Sequence, residues 1–249
     1  MIESKVGVPE VVNLKEWQQA IDEHRIEEKR LTREHDLLNS KRRALPMTKI
    51  EANYLFDTPE GEKSLLSMFE GRRQLIIYHF MYHETQDQFC VGCSLFADQI
   101  GNLAHLHARN TSLAMVSRAP LERIEEHKYR MGWDMPWVSS LKSDFNYDFG
   151  ISSENYEHFG LSVFFRDADT IYRTYFTNNR GIEGIGNIWS LLDLTPWGRQ
   201  EVWEVSPAHW PQSAPFKWWR FHDDYDKGVG EEYIHQDQHS AGDDRSFIP

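Results

Sequence analysis

Two cysteines occur in the 249 residues, Cys90 and Cys93, and both stand in one Cys-Val-Gly-Cys segment. Thiols at this spacing form a reversible dithiol/disulfide pair, in which one thiolate attacks a substrate disulfide and the other resolves the mixed disulfide. The segment lies between the apolar run QLIIYHF and the amphipathic SLFADQI, so Cys90 is expected at the start of a helix. There, unpaired backbone N–H groups and the helix dipole stabilise a thiolate and lower its pKa. Cys90 is accordingly the expected nucleophile and Cys93 the resolving thiol, with Gly92 keeping the turn between them open. A rival chemistry uses the same sulfurs as metal ligands, since His79, His83, Cys90 and Cys93 have the donor types and number for tetrahedral zinc. A third reading leaves the cysteines as small buried apolar residues without chemistry.

Other residues stand close enough in sequence to support such a pair. MYHETQDQF, between Phe80 and Cys90, carries His83, Glu84 and Asp87 as acids or bases for deprotonating the second thiol, with Phe89 directly before the nucleophile. The plainer reading of these side chains is a solvated loop. Residues 133–150, WDMPWVSSLKSDFNYDFG, read as a loop rich in rings: Trp133, Pro136, Trp137, Phe145, Tyr147 and Phe149. Those rings either wall a pocket beside the cysteines for a small thiol or disulfide, or pack over the sheet edge as core. Trp197, Trp203, Trp210, Trp218 and Trp219 are expected to dock a C-terminal extension onto the domain.

The elements that must position these residues follow from periodicity and punctuation. Residues 13–43 contain no Gly or Pro and are dominated by strong helix formers, which predicts one long helix. Its apolar residues Leu14, Trp17, Ile21, Leu31 and Leu38 make an uneven stripe, suited to a surface. Then come a strand at 54–56, a turn at 58–61, a short helix at 64–69 and a strand at 74–80, whose continuous apolar content suits the centre of a sheet covered on both faces. SLFADQIGNLAHLHARN reads as one amphipathic helix, 111–117 as a second buried strand and 120–132 as a second helix with Pro in its first turn. A hairpin follows, 162–166 and 170–176 turning at 167–169, and then a closing helix within 177–193. The order strand, helix, strand, helix makes a right-handed βαβ unit in an α/β fold.

Composition bounds the function classes. With 40% hydrophobic and 13% aromatic residues the chain is long enough for one well-buried domain. A net charge of −12, from 39 acids against 27 bases, argues against a nucleic-acid partner. Half of that excess belongs to residues 222–249, whose far end is expected to be weakly ordered. No window approaches the roughly 18 apolar residues of a membrane span, and the N-terminus lacks a secretory pattern, so a soluble, cytoplasmic protein is expected. The N-terminal helix is compatible with a homodimer, although its interrupted stripe is not a coiled-coil seam.

The element order, with Cys-x-x-Cys between the first strand and helix of the βαβ unit and a hairpin and closing helix after it, resembles the thioredoxin-like superfamily. More specifically, QLIIYHFMYH, FCVGCSLFAD, VSRAPLERIEEHKYRMGWDMPWVSS, SDFNYDFG and LLDLTPWGR resemble an uncharacterised family usually labelled predicted dithiol-disulfide oxidoreductase, over roughly residues 10–225. The resemblance implies a thioredoxin-like fold with a central mixed sheet flanked by helices, a long N-terminal helix and a C-terminal extension. The chain is expected to divide into an N-terminal helical extension (1–46), the thioredoxin-like domain (47–195), an aromatic extension (196–225) and an acidic, weakly ordered tail (226–249). The resemblance also implies a redox pair at Cys90 and Cys93 and no cofactor; a small thiol or disulfide, or a protein disulfide, is the expected substrate. The early strand and turn are similar to the peroxiredoxin layout, but His83 and Asp87 stand where peroxiredoxins carry Pro and Thr or Ser, which argues against that peroxidase chemistry. Phe159-Gly160-Leu161-Ser162 likewise lacks the proline that precedes the hairpin in thioredoxins. The alternatives to disulfide exchange are a thiol peroxidase working through a Cys90 sulfenic acid, and a non-catalytic interaction module whose cysteines sense redox state or zinc.

Overall fold

The computed structural model describes residues 7–153 and 156–225. In chain order the elements are α1 (Leu14–Arg43), β1 (Thr48–Lys49), β2 (Leu55–Thr58), β3 (Gly61–Ser64), a 3-10 turn (Ser67–Phe69), β4 (Gln74–His83), α2 (Val91–Ala97), α3 (Ala104–His107) and β5 (Thr111–Arg118). They continue with α4 (Leu121–Met131), β6 (Trp137–Ser139), α5 (Phe145–Asp148), β7 (Gly160–Asp167), β8 (Thr170–Thr177), α6 (Arg180–Glu183) and α7 (Asn187–Leu192). Among the described residues eight strands form one mixed sheet in the order β1-β8-β7-β4-β5-β6-β2-β3. At its centre β4 runs parallel to β5 and antiparallel to β7, and β7 turns back into β8. That inner block, a βαβ unit beside an antiparallel hairpin, is the thioredoxin-like arrangement. The acidic residues of 226–249 lie outside the described residues.

The pleat of β4 organises the two cores. Successive side chains alternate faces, so Ile76, Tyr78, Phe80 and Tyr82 pack with Cys93, Leu95, Phe96, Met115, Ile124 and Trp137. Leu75 and Ile77 pack on the other face with Phe56, Phe69, Ala114, Val116, Phe145 and Phe164. Both faces of β4 are buried, as its unbroken apolar run requires.

Local interactions form α1 without help from the core. Asn13 accepts the Glu16 N–H at 3.0 Å while the Glu16 carboxylate accepts the Asn13 N–H at 3.3 Å, a reciprocal cap. Arg25–Asp22 and Arg30–Glu27 pairs brace its surface, Lys41, Arg42 and Arg43 sit at its negative end, and none of its residues is buried.

Four expected elements differ, each for a readable reason. The helix expected at 64–69 is instead β3 and the 3-10 turn, because Thr58 donates to the Gly61 carbonyl at 2.6 Å and Gly61 takes φ 107°, closing a β2–β3 hairpin. The helix expected through SLFADQIGNLAHLHARN splits into α2 and α3 around Gly101, and Asn102 accepts the Ala104 N–H at 2.9 Å to start the second piece. The expected loop at 133–150 holds β6, paired parallel to β5 through Met115 and Trp137, and the single turn α5. The closing helix breaks into α6 and α7 at Gly184 and Gly186, residues that weaken a helix interior.

Candidate redox site

Cys90 is the N-cap of α2, where its sulfur accepts the Cys93 N–H at 3.3 Å. Its thiol is held below the ordinary cysteine value. The hydrogen bond from the Cys93 thiol is the main cause; burial opposes it, and the N–H groups of Cys93 and Gly92 add to it. Cys93 is displaced the other way, well above the ordinary value, first by burial at 1% exposure and then by its bond to the neighbouring sulfur. Both cysteines are free thiols. The two thiols are thus displaced in opposite senses, that of the partly exposed residue Cys90 toward the thiolate and that of the buried Cys93 toward the protonated form.

A residue that the sequence reading placed in the central strand but gave no role at the site meets the second sulfur. The Tyr78 hydroxyl, from the centre of β4, hydrogen-bonds Cys93, and the Met81 N–H points to the same sulfur; both favour its charged form. Tyr78 stacks on Phe96 at 4.3 Å, which fixes the ring. Its phenol is pushed well above 10, first by burial and then by the adjacent Cys93, so it remains a donor. The signal lay in strand parity, because position 78 faces the same side as Phe80 and Tyr82, over which α2 packs.

Phe89 orders the approach to Cys90. Its ring lies between His127, at 3.6 Å and 8° from parallel, and Tyr82 at 3.7 Å, with Arg123 over the outer face of Tyr82 at 4.7 Å. Ser94 donates its hydroxyl to the Cys90 carbonyl at 3.0 Å and meets His127 Nε2 at 3.3 Å. With the one hydroxyl hydrogen used, Nε2 is the donor in that second contact. Burial first, then Arg130, lowers the His127 pKa to about 3, which favours the neutral ring.

The C-terminal extension closes over the same end of α2 as a strap. A Cβ on Gly92 would lie 2.5 Å from Trp219 Cζ3, so the indole's benzo edge occupies the space above the Cys-x-x-Cys turn and a side chain at 92 is excluded. Phe221 is buried with Val91 and Met131, and Phe89 and Trp133 pack on that cluster. Glu201, only 3% exposed, anchors the strap by accepting the Phe216 N–H at 2.8 Å, the Trp218 indole at 3.0 Å and the Trp203 indole. Beyond Trp219, Arg130 forks onto Asp223 at 2.8 and 3.0 Å and reaches Asp224 at 3.2 Å, while Asp98 holds both His222 and Trp133 at 2.8 Å. Trp218 and Trp219 therefore dock the extension as expected, and Trp197 instead ties it to the N-terminus by donating to the Gly7 carbonyl at 3.0 Å.

The remaining sequence candidates separate. His79 is fully buried on the opposite face of β4 from the cysteines, stacked on Phe145 and bonded to Ser162 at 2.9 Å, and burial with Arg173 lowers its pKa to about 3. The four donors of the zinc reading are therefore not brought together. Among the described residues no group of three or more His, Cys, Asp or Glu is arranged for a metal. His83 turns its Nδ1 to the Thr85 hydroxyl at 3.0 Å, and burial, then Arg118, lowers its pKa. Glu84 and Asp87 have exposed side chains and are tied only by their backbone carbonyls, to Arg123. No hydrogen bond joins these three side chains to either cysteine. The expected ring pocket also divides: Trp133 and Trp137 belong to the cysteine face, Phe145 to the other, and Tyr147 lies on the surface over Arg118. Pro136 contributes through its carbonyl, which accepts the Met115 N–H at 2.8 Å and starts β6.

A family model described as a bacterial protein of unknown function (DUF899) matches residues 6–225. No curated protein matches the chain. Among solved structures, a cysteine-to-serine mutant of Xylella fastidiosa PrxQ is 14% identical with a TM-score of 0.42, covering 58% of this chain and 94% of its own. A hypothetical protein from Sinorhizobium meliloti 1021 is 12% identical with a TM-score of 0.38, covering 54% of this chain and 74% of its own. Among the described residues no helix is long and apolar enough to cross a membrane.

Proposed function

The chain belongs to this family of unknown function, and we propose that it is a thiol-disulfide oxidoreductase with Cys90 as nucleophile and Cys93 as resolving thiol. The carrying observation is the position of Cys90 as the N-cap of α2, its sulfur accepting the Cys93 N–H at 3.3 Å, and the opposite displacement of the two acidities agrees with it. The Cys90 thiolate attacks one sulfur of a disulfide, forming a mixed disulfide and expelling the other half as a thiolate. Cys93 then loses its proton and attacks Cys90. The second half leaves and takes up a proton, so two substrate thiols and one Cys90–Cys93 disulfide result. A dithiol reductant, dithiothreitol in vitro, reverses the change in the protein.

Alkylation of the reduced protein by iodoacetamide between about pH 6 and 8, read by intact mass, tests the assignment. Cys90 is expected to react first and Cys93 to lag. Mild oxidation is expected to remove two hydrogen masses, restored by dithiothreitol, and Cys93→Ser to accumulate the mixed disulfide on Cys90. A Cys90 that stays inert across this range in folded, reduced protein removes the proposal.

A further inference from the structure

We propose that the strap makes this site selective for small disulfides over disulfides carried in a polypeptide, with Trp219 as the determinant; this rests on the reading of Cys90 as the nucleophile. The Trp219 benzo edge lies against Gly92, in the space a chain crossing the Cys-x-x-Cys turn would need. On the adjoining side Val91 is buried beneath Phe221, Phe89 and Trp133. Rings therefore close two flanks of the turn, while Cys90 itself keeps partial exposure.

The covering is fastened on both sides of Trp219. Before it, the buried Glu201 carboxylate takes N–H groups from Phe216 and Trp218. After it, Asp98 holds His222, and Arg130 holds Asp223 and Asp224. A cystine within a polypeptide brings backbone to both sides of each sulfur, and even paired strands stand about 4.8 Å apart. Such a substrate cannot align its S–S bond on Cys90 without lifting the strap. A disulfide flanked only by a few methylenes needs no such opening.

Reduced wild-type protein, Trp219→Ala and Arg130→Met are each mixed with 2-hydroxyethyl disulfide and, separately, with insulin, and second-order rate constants are taken from the loss of protein thiol. Arg130→Met loosens the strap from outside the site, and thermal melts check that both variants fold. The wild-type rate constant is expected to favour the small disulfide by at least about a hundredfold, and both variants to raise the insulin-to-small ratio by about tenfold. Comparable wild-type rates on both substrates, or a ratio unmoved in both folded variants, overturns the selectivity while leaving the dithiol chemistry standing. Failure of wild type to react with the small disulfide at all instead removes the function on which this proposal rests.

Discussion

Replacing Tyr78 by Phe removes one hydroxyl from the core and nothing else, since the ring stays stacked on Phe96. That hydroxyl donates to Cys93, where it partly offsets the burial that holds the thiol up. A hydrogen bond to a charged partner is worth about 1.5–3 kcal/mol, so losing it should push Cys93 further up and cut its thiolate fraction by about ten- to a hundredfold. Intrinsic nucleophilicity recovers nearly half of that exponent. The net expectation is a resolving step about four- to sixteenfold slower near neutral pH. A stopped-flow experiment with a chromogenic nitrobenzoate disulfide separates the steps: the first released anion reports attack by Cys90, the second resolution by Cys93. Only the second phase should slow, and the deficit should shrink as pH rises toward the pKa of Cys93. Equal slowing of both phases, or no change in either, would refute the role assigned to the Tyr78 hydroxyl.

Two further expectations concern stability. His79 and His127 are buried neutral, each lowered from 6.5 to about 3. Between these values the unfolded chain binds the protons and the folded chain does not, so stability is complete above about pH 6.5 and falls as pH drops, by up to about 1.4 kcal/mol per pH unit for each histidine. Urea melts between neutral and mildly acid pH should show that slope, with His83 and His158 adding to it in the same sense, and His79→Gln should make it shallower; a flat profile contradicts the burial argument. Glu201→Gln sets an amide NH2 against indole or backbone N–H donors at a site only 3% exposed, and should cost about 2 kcal/mol, with new proteolytic cleavage within residues 200–221 read by mass spectrometry. An unchanged digestion pattern would mean that Glu201 does not fasten the strap.

Strand parity explains what the sequence made visible and what it hid. Leu75 to Tyr78 announced a central strand because both faces are apolar, and the cysteines after it announced the helix start. Tyr78 escaped notice because its partner lies fifteen residues on, and the contact exists only once α2 packs across the sheet. The same alternation, applied to His79, separates it from Cys93 and dismantles the zinc set. β6 was hidden because three residues carry too little pattern to oppose the turn signals around Pro136, and its pairing depends on β5. The broken helices had visible causes in Gly101, Gly184 and Gly186, but whether a glycine interrupts a helix is decided by tertiary contacts such as Gln99 accepting the Ile188 N–H at 2.6 Å where α7 begins. The strap was legible as aromatic composition, not as position, since nothing local says that Trp219 lands on Gly92.

The pleat of β4 also has a bearing on how the protein can change. Tyr78 and His79 are neighbours in the chain, yet one packs on the side of the cysteines and the other against Phe145, with the sheet between their side chains. Sites without shared partners combine their energetic effects nearly additively. Neighbouring positions in the regular part of β4, residues 75–79, therefore act on different cores, and a variant library there should separate odd from even positions.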